Sequence, residues 1–123
     1  MAVAQIGVPG EWIQIAVAER STGALVGDIG MGLHPNRAGV AEIGFTIAPA
    51  AQGRGFGTEA VLSALAWLFA MGKVDVVEAI TDARNAPSIR LLERVGMHLE
   101  RTQEMPFKGE MSTEFVYSIA RTA

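Results

Sequence analysis

The chain has 123 residues, half of them hydrophobic and 19% charged, enough apolar side chains for one cored domain and not the composition of a disordered tail. Lys and Arg number 10 against 13 Asp and Glu, and a formal net charge of -3 offers no global field to draw a nucleic-acid backbone. The absence of cysteine excludes disulfides, thiolate metal sites and cysteine nucleophiles and fits a reducing cytoplasm. His34 and His98 lie far apart, and no carboxylates are arranged with either to hold a metal. The most apolar run, Ala60 to Met71, is too short for the roughly 20 residues of a membrane span, so no membrane partner is expected.

Residues 1–11 carry two glycines and a proline without sustained period and read as an N-terminal arm, with a single domain over 12–123. From Trp12 the pattern sharpens: Ile13, Ile15 and Val17 alternate with Gln14, Ala16 and Ala18, the period of a strand with one face buried. Ser21-Thr22-Gly23 supplies a turn. A second strand runs from Ala24 to about Leu33, with Gly27, Gly30 and Gly32 marking a bulge or a close backbone approach. After the His34–Arg37 loop, Ala41–Ile47 forms a third strand ended by Pro49, and the short links make these three an antiparallel meander.

The spacing of Val61, Leu65, Leu68 and of Leu62, Leu65, Phe69 predicts a helix over Gly57–Met71, capped by Gly72. So little of it is polar that both faces are expected to be covered. Val74–Ile80 is rich in β-branched residues, as a central strand is. A second helix spans Asn85–Gly96, with Pro87 in its first turn and Ile89, Leu92 and Val95 on one face. Strands over Met97–Met105 and Glu114–Ala120 complete the order β-β-β-α-β-α-β-β, an α/β fold whose mixed sheet is mainly antiparallel and flanked by helices.

The chemistry is concentrated in Gln52-Gly53-Arg54-Gly55-Phe56-Gly57-Thr58, between a strand and the start of a helix. Glycines let successive backbone N–H groups turn toward one point, the helix dipole adds partial positive charge there, and Arg54 adds a full one, which together make a phosphate site. No Gly-Lys-Ser or Gly-Lys-Thr is present, so the loop is not a Walker A motif. A dinucleotide fingerprint is the alternative, with Glu78 as its acidic residue about 20 positions on. Against it stand the three antiparallel strands that precede the loop, the third glycine at Gly57 one residue early, and Glu78 inside its strand.

Gln52-x-x-Gly55-x-Gly57 resembles the Q/R-x-x-G-x-G/A pyrophosphate motif of the Gcn5-related N-acetyltransferases, the GNAT superfamily. The segment Asn85-Ala86-Pro87-Ser88-Ile89-Arg90-Leu91-Leu92-Glu93-Arg94-Val95-Gly96-Met97 also resembles that family's N-x-x-S-I-x-L-x-E-K-x-G-F helix, particularly in the RimJ/RimL-like branch that acetylates ribosomal-protein N-termini. The resemblance covers Trp12 to the C-terminus. It implies transfer of an acetyl group from acetyl-CoA to an amine, either a protein N-terminus or a small molecule, with acetyl-CoA as co-substrate and no metal.

By the same resemblance, the third strand splays from its neighbour and pantetheine pairs with the backbone near Thr46, Ile47 and Ala48, while the Ile47 N–H serves the thioester oxygen. The loop from Gln52 to Thr58 holds the pyrophosphate, and Asn85 and Ser88 contact the cofactor. Glu42 stands where some members place a general base. Many relatives use a Tyr of the second helix as acid, but Leu92 occupies that position, so Ser88 is the candidate. His34 reads as a solvated loop residue and Tyr117 as a packing residue. The family's usual leading strand and two helices have no counterpart in the roughly 11 residues before Trp12, which implies an N-terminally shortened acceptor side and a possible homodimer. A CoA-binding module without turnover is the non-enzymatic alternative.

Overall fold

The computed structural model describes residues 10–48 and 51–122, apart from the side chain of Phe107; most of the expected N-terminal arm and Pro49 lie outside the described residues. The alternation in the first segment produces β1 (Trp12–Ala18), whose odd residues are half-buried and whose even residues are exposed. It leads through a turn into β2 (Leu25–Leu33) and then β3 (Val40–Ile47), paired antiparallel as the expected meander, with a register shift at Val17/Ala18. The crossover through α1 (Phe56–Ala70) brings β4 (Val76–Asp82) parallel to β3, and α2 (Ala86–Arg94) precedes the hairpin β5 (His98–Phe107) and β6 (Glu110–Ala120). The six-stranded sheet has the order β1-β2-β3-β4-β6-β5. The fold is therefore the expected mixed, mainly antiparallel α/β architecture.

Three expectations are corrected. Val74 is buried but precedes β4, because the Gly39 carbonyl accepts from both Asp75 and Val76 N–H and only then does pairing with β3 begin. The last two strands extend as far as the tight turn at Lys108-Gly109, both with positive φ, so residues 106–113 are strand and turn rather than a loop. The first helix is covered on one face only: Val61, Ala64, Leu65 and Leu68 are buried, whereas Leu62 is 48% exposed.

Both helices pack on the same side of the sheet. Their apolar residues Val61, Leu65, Leu68, Leu92 and Val95 join Ile29, Ile43, Val77, Ala79 and Tyr117 in one core, where each fully buried aliphatic side chain contributes about 1.5–3 kcal/mol. By the strand registers, the opposite face carries Trp12, Gln14, Asp28, Glu42, Glu78 and Glu114, and among the described residues no helix covers it.

Candidate functional site

The β3–β4 ladder ends at the pair Ile43 and Ala79, while β3 continues to Ile47 and β4 to Asp82. The two strands therefore part company in the middle of the sheet. At the ends of the β2–β3 ladder, the Ala48 N–H donates to the Val26 carbonyl and the His34 N–H to the Val40 carbonyl. Antiparallel alternation then directs the backbone groups of the even β3 residues toward β2 and those of Phe45 and Ile47 into the gap. The Ile47 carbonyl accepts from the Gln52 side-chain amide at 3.1 Å, which leaves the Phe45 and Ile47 N–H groups facing the opening.

A cleft of about 310 Å³ occupies this gap, bounded by the end of β3, the glycine-rich loop and the first two turns of α2. Gly53 and Gly55 adopt φ of 79° and 84°, values that L side chains rarely take, and Gly55 is the residue before the first turn of α1 with no side chain capping it. The loop thus aims uncapped helix N–H groups at the cleft, the arrangement that favours an anion. Gly57 does a different job. Within the helix it is buried where a Cβ would press on Leu91 at 2.5 Å and Ile47 at 3.2 Å, so glycine permits the close approach of α1 to both walls.

On the far wall, Asn85 caps α2: its side-chain oxygen accepts from the Ser88 N–H at 3.2 Å, with Pro87 in the first turn. The candidate residues Thr46, Ile47, Gln52, Gly53, Gly55, Phe56, Gly57, Thr58, Asn85 and Ser88 all line the cleft. Three other candidates do not. Arg54 turns its guanidinium to Glu19 at 3.0 Å and over the Phe56 ring at 4.8 Å, so the full positive charge expected at the phosphate point is already paired. The Ala48 N–H is used in the ladder with β2. Glu42 lies on the helix-free face of β3, half-buried, one residue before the strands part.

The electrostatics of that face centre on Glu78. It is 2% exposed, and one carboxylate oxygen accepts from Arg37 at 2.9 Å and Arg101 at 3.2 Å. Burial pushes its pKa up, but the hydrogen bonds from Arg101 and Arg37 outweigh burial and hold it below the usual carboxylate range. This placement removes Glu78 from the dinucleotide alternative, because its carboxylate is committed on the face opposite the loop. Glu42, its direct neighbour across β3 and β4, is shifted the other way, raised by burial first and by the Glu78 charge second.

Of the remaining residues, Leu92 is fully buried and offers no proton. Tyr117 is also buried, its hydroxyl donating to Glu93 at 3.2 Å, which is the packing role expected of it. His34 accepts the Asn36 N–H on Nδ1 at 3.1 Å. Sequence reasoning missed Arg90 and Arg94, which line the cleft from α2 and are the cations nearest to it in place of Arg54. Their spacing of four on the polar side of a helix was the available signal. A larger, more apolar cavity of about 530 Å³ lies between β1 and α1 and meets the loop only at Phe56.

Comparison with known proteins shows the family and the fold. The model of the acetyltransferase (GNAT) domain family matches residues 4–98. An uncharacterized N-acetyltransferase of Bacillus licheniformis is 25% identical over 119 residues, 94% of this chain and 66% of that protein. A structure from Vibrio cholerae, described as a ribosomal-protein-serine acetyltransferase, superposes with a TM-score of 0.80 at 26% identity, covering 90% of this chain and 65% of the other. A GNAT-family acetyltransferase from Bacillus anthracis gives a TM-score of 0.80 at 27% identity, covering 87% and 65%. The chain thus spans just under two thirds of the length of these relatives. Among the described residues no helix is long and apolar enough to cross a membrane.

Proposed function

Because the chain belongs to the acetyltransferase (GNAT) domain family, we propose that it binds acetyl-CoA in the cleft between β3, the glycine loop and α2 and transfers the acetyl group to a primary amine. The observation that carries this reading is the parted edge of β3, where the Phe45 and Ile47 N–H groups are unpaired beside a loop shaped for an anion. An extended amide-bearing arm adds to such an edge as a strand does, with main-chain hydrogen bonds supplying affinity. The pyrophosphate then falls at the uncapped start of α1, within reach of Arg90 and Arg94. Asn85 keeps the α2 wall in place.

Acetyl-CoA supplies the activated acyl group, and this chain's residues do the rest. The Ile47 N–H faces the position where charge gathers on the thioester oxygen as the amine attacks directly in a ternary complex. Glu42 takes the proton that the amine loses, and its raised pKa makes it a stronger base than an exposed carboxylate. Ser88, on the cleft wall, donates a hydrogen bond to the departing thiolate and relays a proton to it from water, so that the hydroxyl is restored as the thiol forms. The Vibrio cholerae relative, described as acting on a ribosomal-protein serine, supports a protein as one acceptor class, for which we infer the N-terminal amine, and a small-molecule amine is the other.

The test is calorimetric titration with acetyl-CoA, CoA and NADH, followed by mass spectrometry on a panel of amines. The reading expects binding of both CoA species, none of NADH, and an acetylated product. Binding without any product identifies a CoA-binding module, and no binding of either CoA species overturns the proposal.

A further inference from the structure

The helix-free face of the sheet carries a feature that the acetyl-transfer reading leaves unused. Three glycines, Gly30 and Gly32 of β2 and Gly44 of β3, fall on this one face, and the indole of Trp12 lies across them. A Cβ on Gly30 would run into the ring, and one on Gly44 would touch it at 3.7 Å. The ring is pinned from its edge as well. Trp12 Nε1 donates to Gln14 at 2.8 Å, and the Gln14 amide donates to Asp28 at 3.0 Å.

A side chain so seated is not filling a core: Trp12 remains 47% exposed. One face of the indole rests on backbone and the other is presented to solvent, its orientation fixed by a floor without side chains and a two-step hydrogen-bond relay. Gly44 immediately precedes Phe45, whose N–H opens into the cleft, so the platform ends where β3 and β4 part. Glu42 stands two residues earlier on the same strand and the same face, and unlike its neighbour Glu78 it has no arginine bound to it. An indole face on the same sheet face as a carboxylate that makes no salt bridge among the described residues is a receptor for an organic cation.

We propose that the Trp12 indole, in the field of the Glu42 carboxylate, forms a binding site for an alkylammonium or guanidinium group of the acceptor, a second cationic centre besides the amine whose proton Glu42 takes. The inference rests on the acetyl-transfer reading for the word acceptor, but the cation site itself is testable without turnover. The attacking nitrogen has to be neutral, so the charge read on Trp12 belongs to another nitrogen on the same molecule. The charged groups on this face are Glu42, Asp28 and Glu114, with His34 the basic side chain that acts on Glu42 and with Glu78 and Glu100 together balancing Arg37 and Arg101, so the local balance favours a cation.

Choline and its uncharged isostere 3,3-dimethylbutan-1-ol are the probes, titrated into the full chain while the two indole N–H resonances are followed by NMR. The Trp67→Phe variant assigns them. The Trp12 signal is expected to move saturably with choline, at a dissociation constant about two- to fivefold below that of the alcohol, the range of an exposed cation–π contact. Trp12→Leu is expected to abolish the preference and Glu42→Gln to reduce it, with acetyl-CoA affinity unchanged in Trp12→Leu as the check that the variant folds. Gly30→Ala, which tilts the ring without removing it, is expected to weaken the preference as well. In turnover, 1,4-diaminobutane is expected to show a lower KM than butylamine, a difference lost in Trp12→Leu with kcat little changed. Equal affinity for choline and the alcohol, or a preference that survives Trp12→Leu, overturns the inference whether or not acetyl-CoA binds. Failure of the acetyl-CoA titration alone overturns the transfer reading and leaves the cation site standing.

Discussion

Replacing Glu78 by Gln tests the physical account of the helix-free face most directly. Its carboxylate is almost wholly buried, and a single oxygen carries hydrogen bonds from two arginines that are themselves 42% and 43% exposed. A charge-assisted hydrogen bond contributes roughly 1.5–3 kcal/mol, but exposed partners recover part of this from water, so the loss is about 2–3 kcal/mol for the pair rather than the sum. With a urea m-value of about 1–2 kcal/mol/M, the unfolding midpoint falls by about 1–3 M. The pH dependence gives the sharper test. The folded-state pKa of Glu78 lies below its ordinary value of 4.5, so its stabilisation is present in full above that value and drains away as pH falls through the folded pKa. Urea unfolding of the wild type and Glu78→Gln at pH 7.5 is expected to show the full gap, and at pH 4 and below a shrinking one. A gap that is the same at both pH values would falsify the assignment of this stability to the ionised carboxylate.

Three further outcomes follow from the site. Gly55→Val places a β-branched residue at φ 84°, which costs about 1–3 kcal/mol of backbone strain and is expected to weaken acetyl-CoA binding at least tenfold in calorimetry, whereas Arg54→Ala, whose guanidinium is held by Glu19, is expected to change it by less than threefold. Asn85→Ala removes the cap of α2 and is expected to lower stability by about 1 kcal/mol in chemical unfolding, with a matching loss of CoA affinity; a fall in stability alone would detach α2 from the site. Glu42 has a raised pKa, so the acid limb of kcat/KM is expected above the ordinary carboxylate value of 4.5 and to vanish in Glu42→Gln; an unchanged limb removes Glu42 as the base.

The elements were readable where one physical signal dominated. Period-two alternation placed β1, and the spacing of Val61, Leu65 and Leu68 at four and three placed α1, because in both the buried face is settled by apolar residues alone. The hairpin ends were not readable, since residues 106–113 contain Pro106 and polar side chains and their strand pairing depends on a turn with positive φ at Lys108, a residue that gives no such warning. The same limit explains Arg54. Its place beside the loop glycines predicted a phosphate contact, but the partner that captures it, Glu19, is 35 residues away in the turn after β1, a distance that only the folded sheet closes.

The glycines show how one residue type serves separate ends in this chain. Gly53 and Gly55 are required by their backbone angle, and a Cβ there would meet nothing within 4 Å. For Gly57, Gly30 and Gly44 the reverse holds: none needs a positive φ, and what a side chain would destroy is the approach of α1 to Ile47 and Leu91 in one case and the seat of the Trp12 indole in the other. A glycine-rich reading of the sequence merges these classes. Separating them by geometry divides the molecule into a cleft side, where glycine shapes the loop and the helix entry, and a helix-free side, where it lays a floor. The two meet at Gly44 and Phe45, the point where β3 leaves β4, so a ligand on either side of the sheet reaches the same short stretch of open backbone.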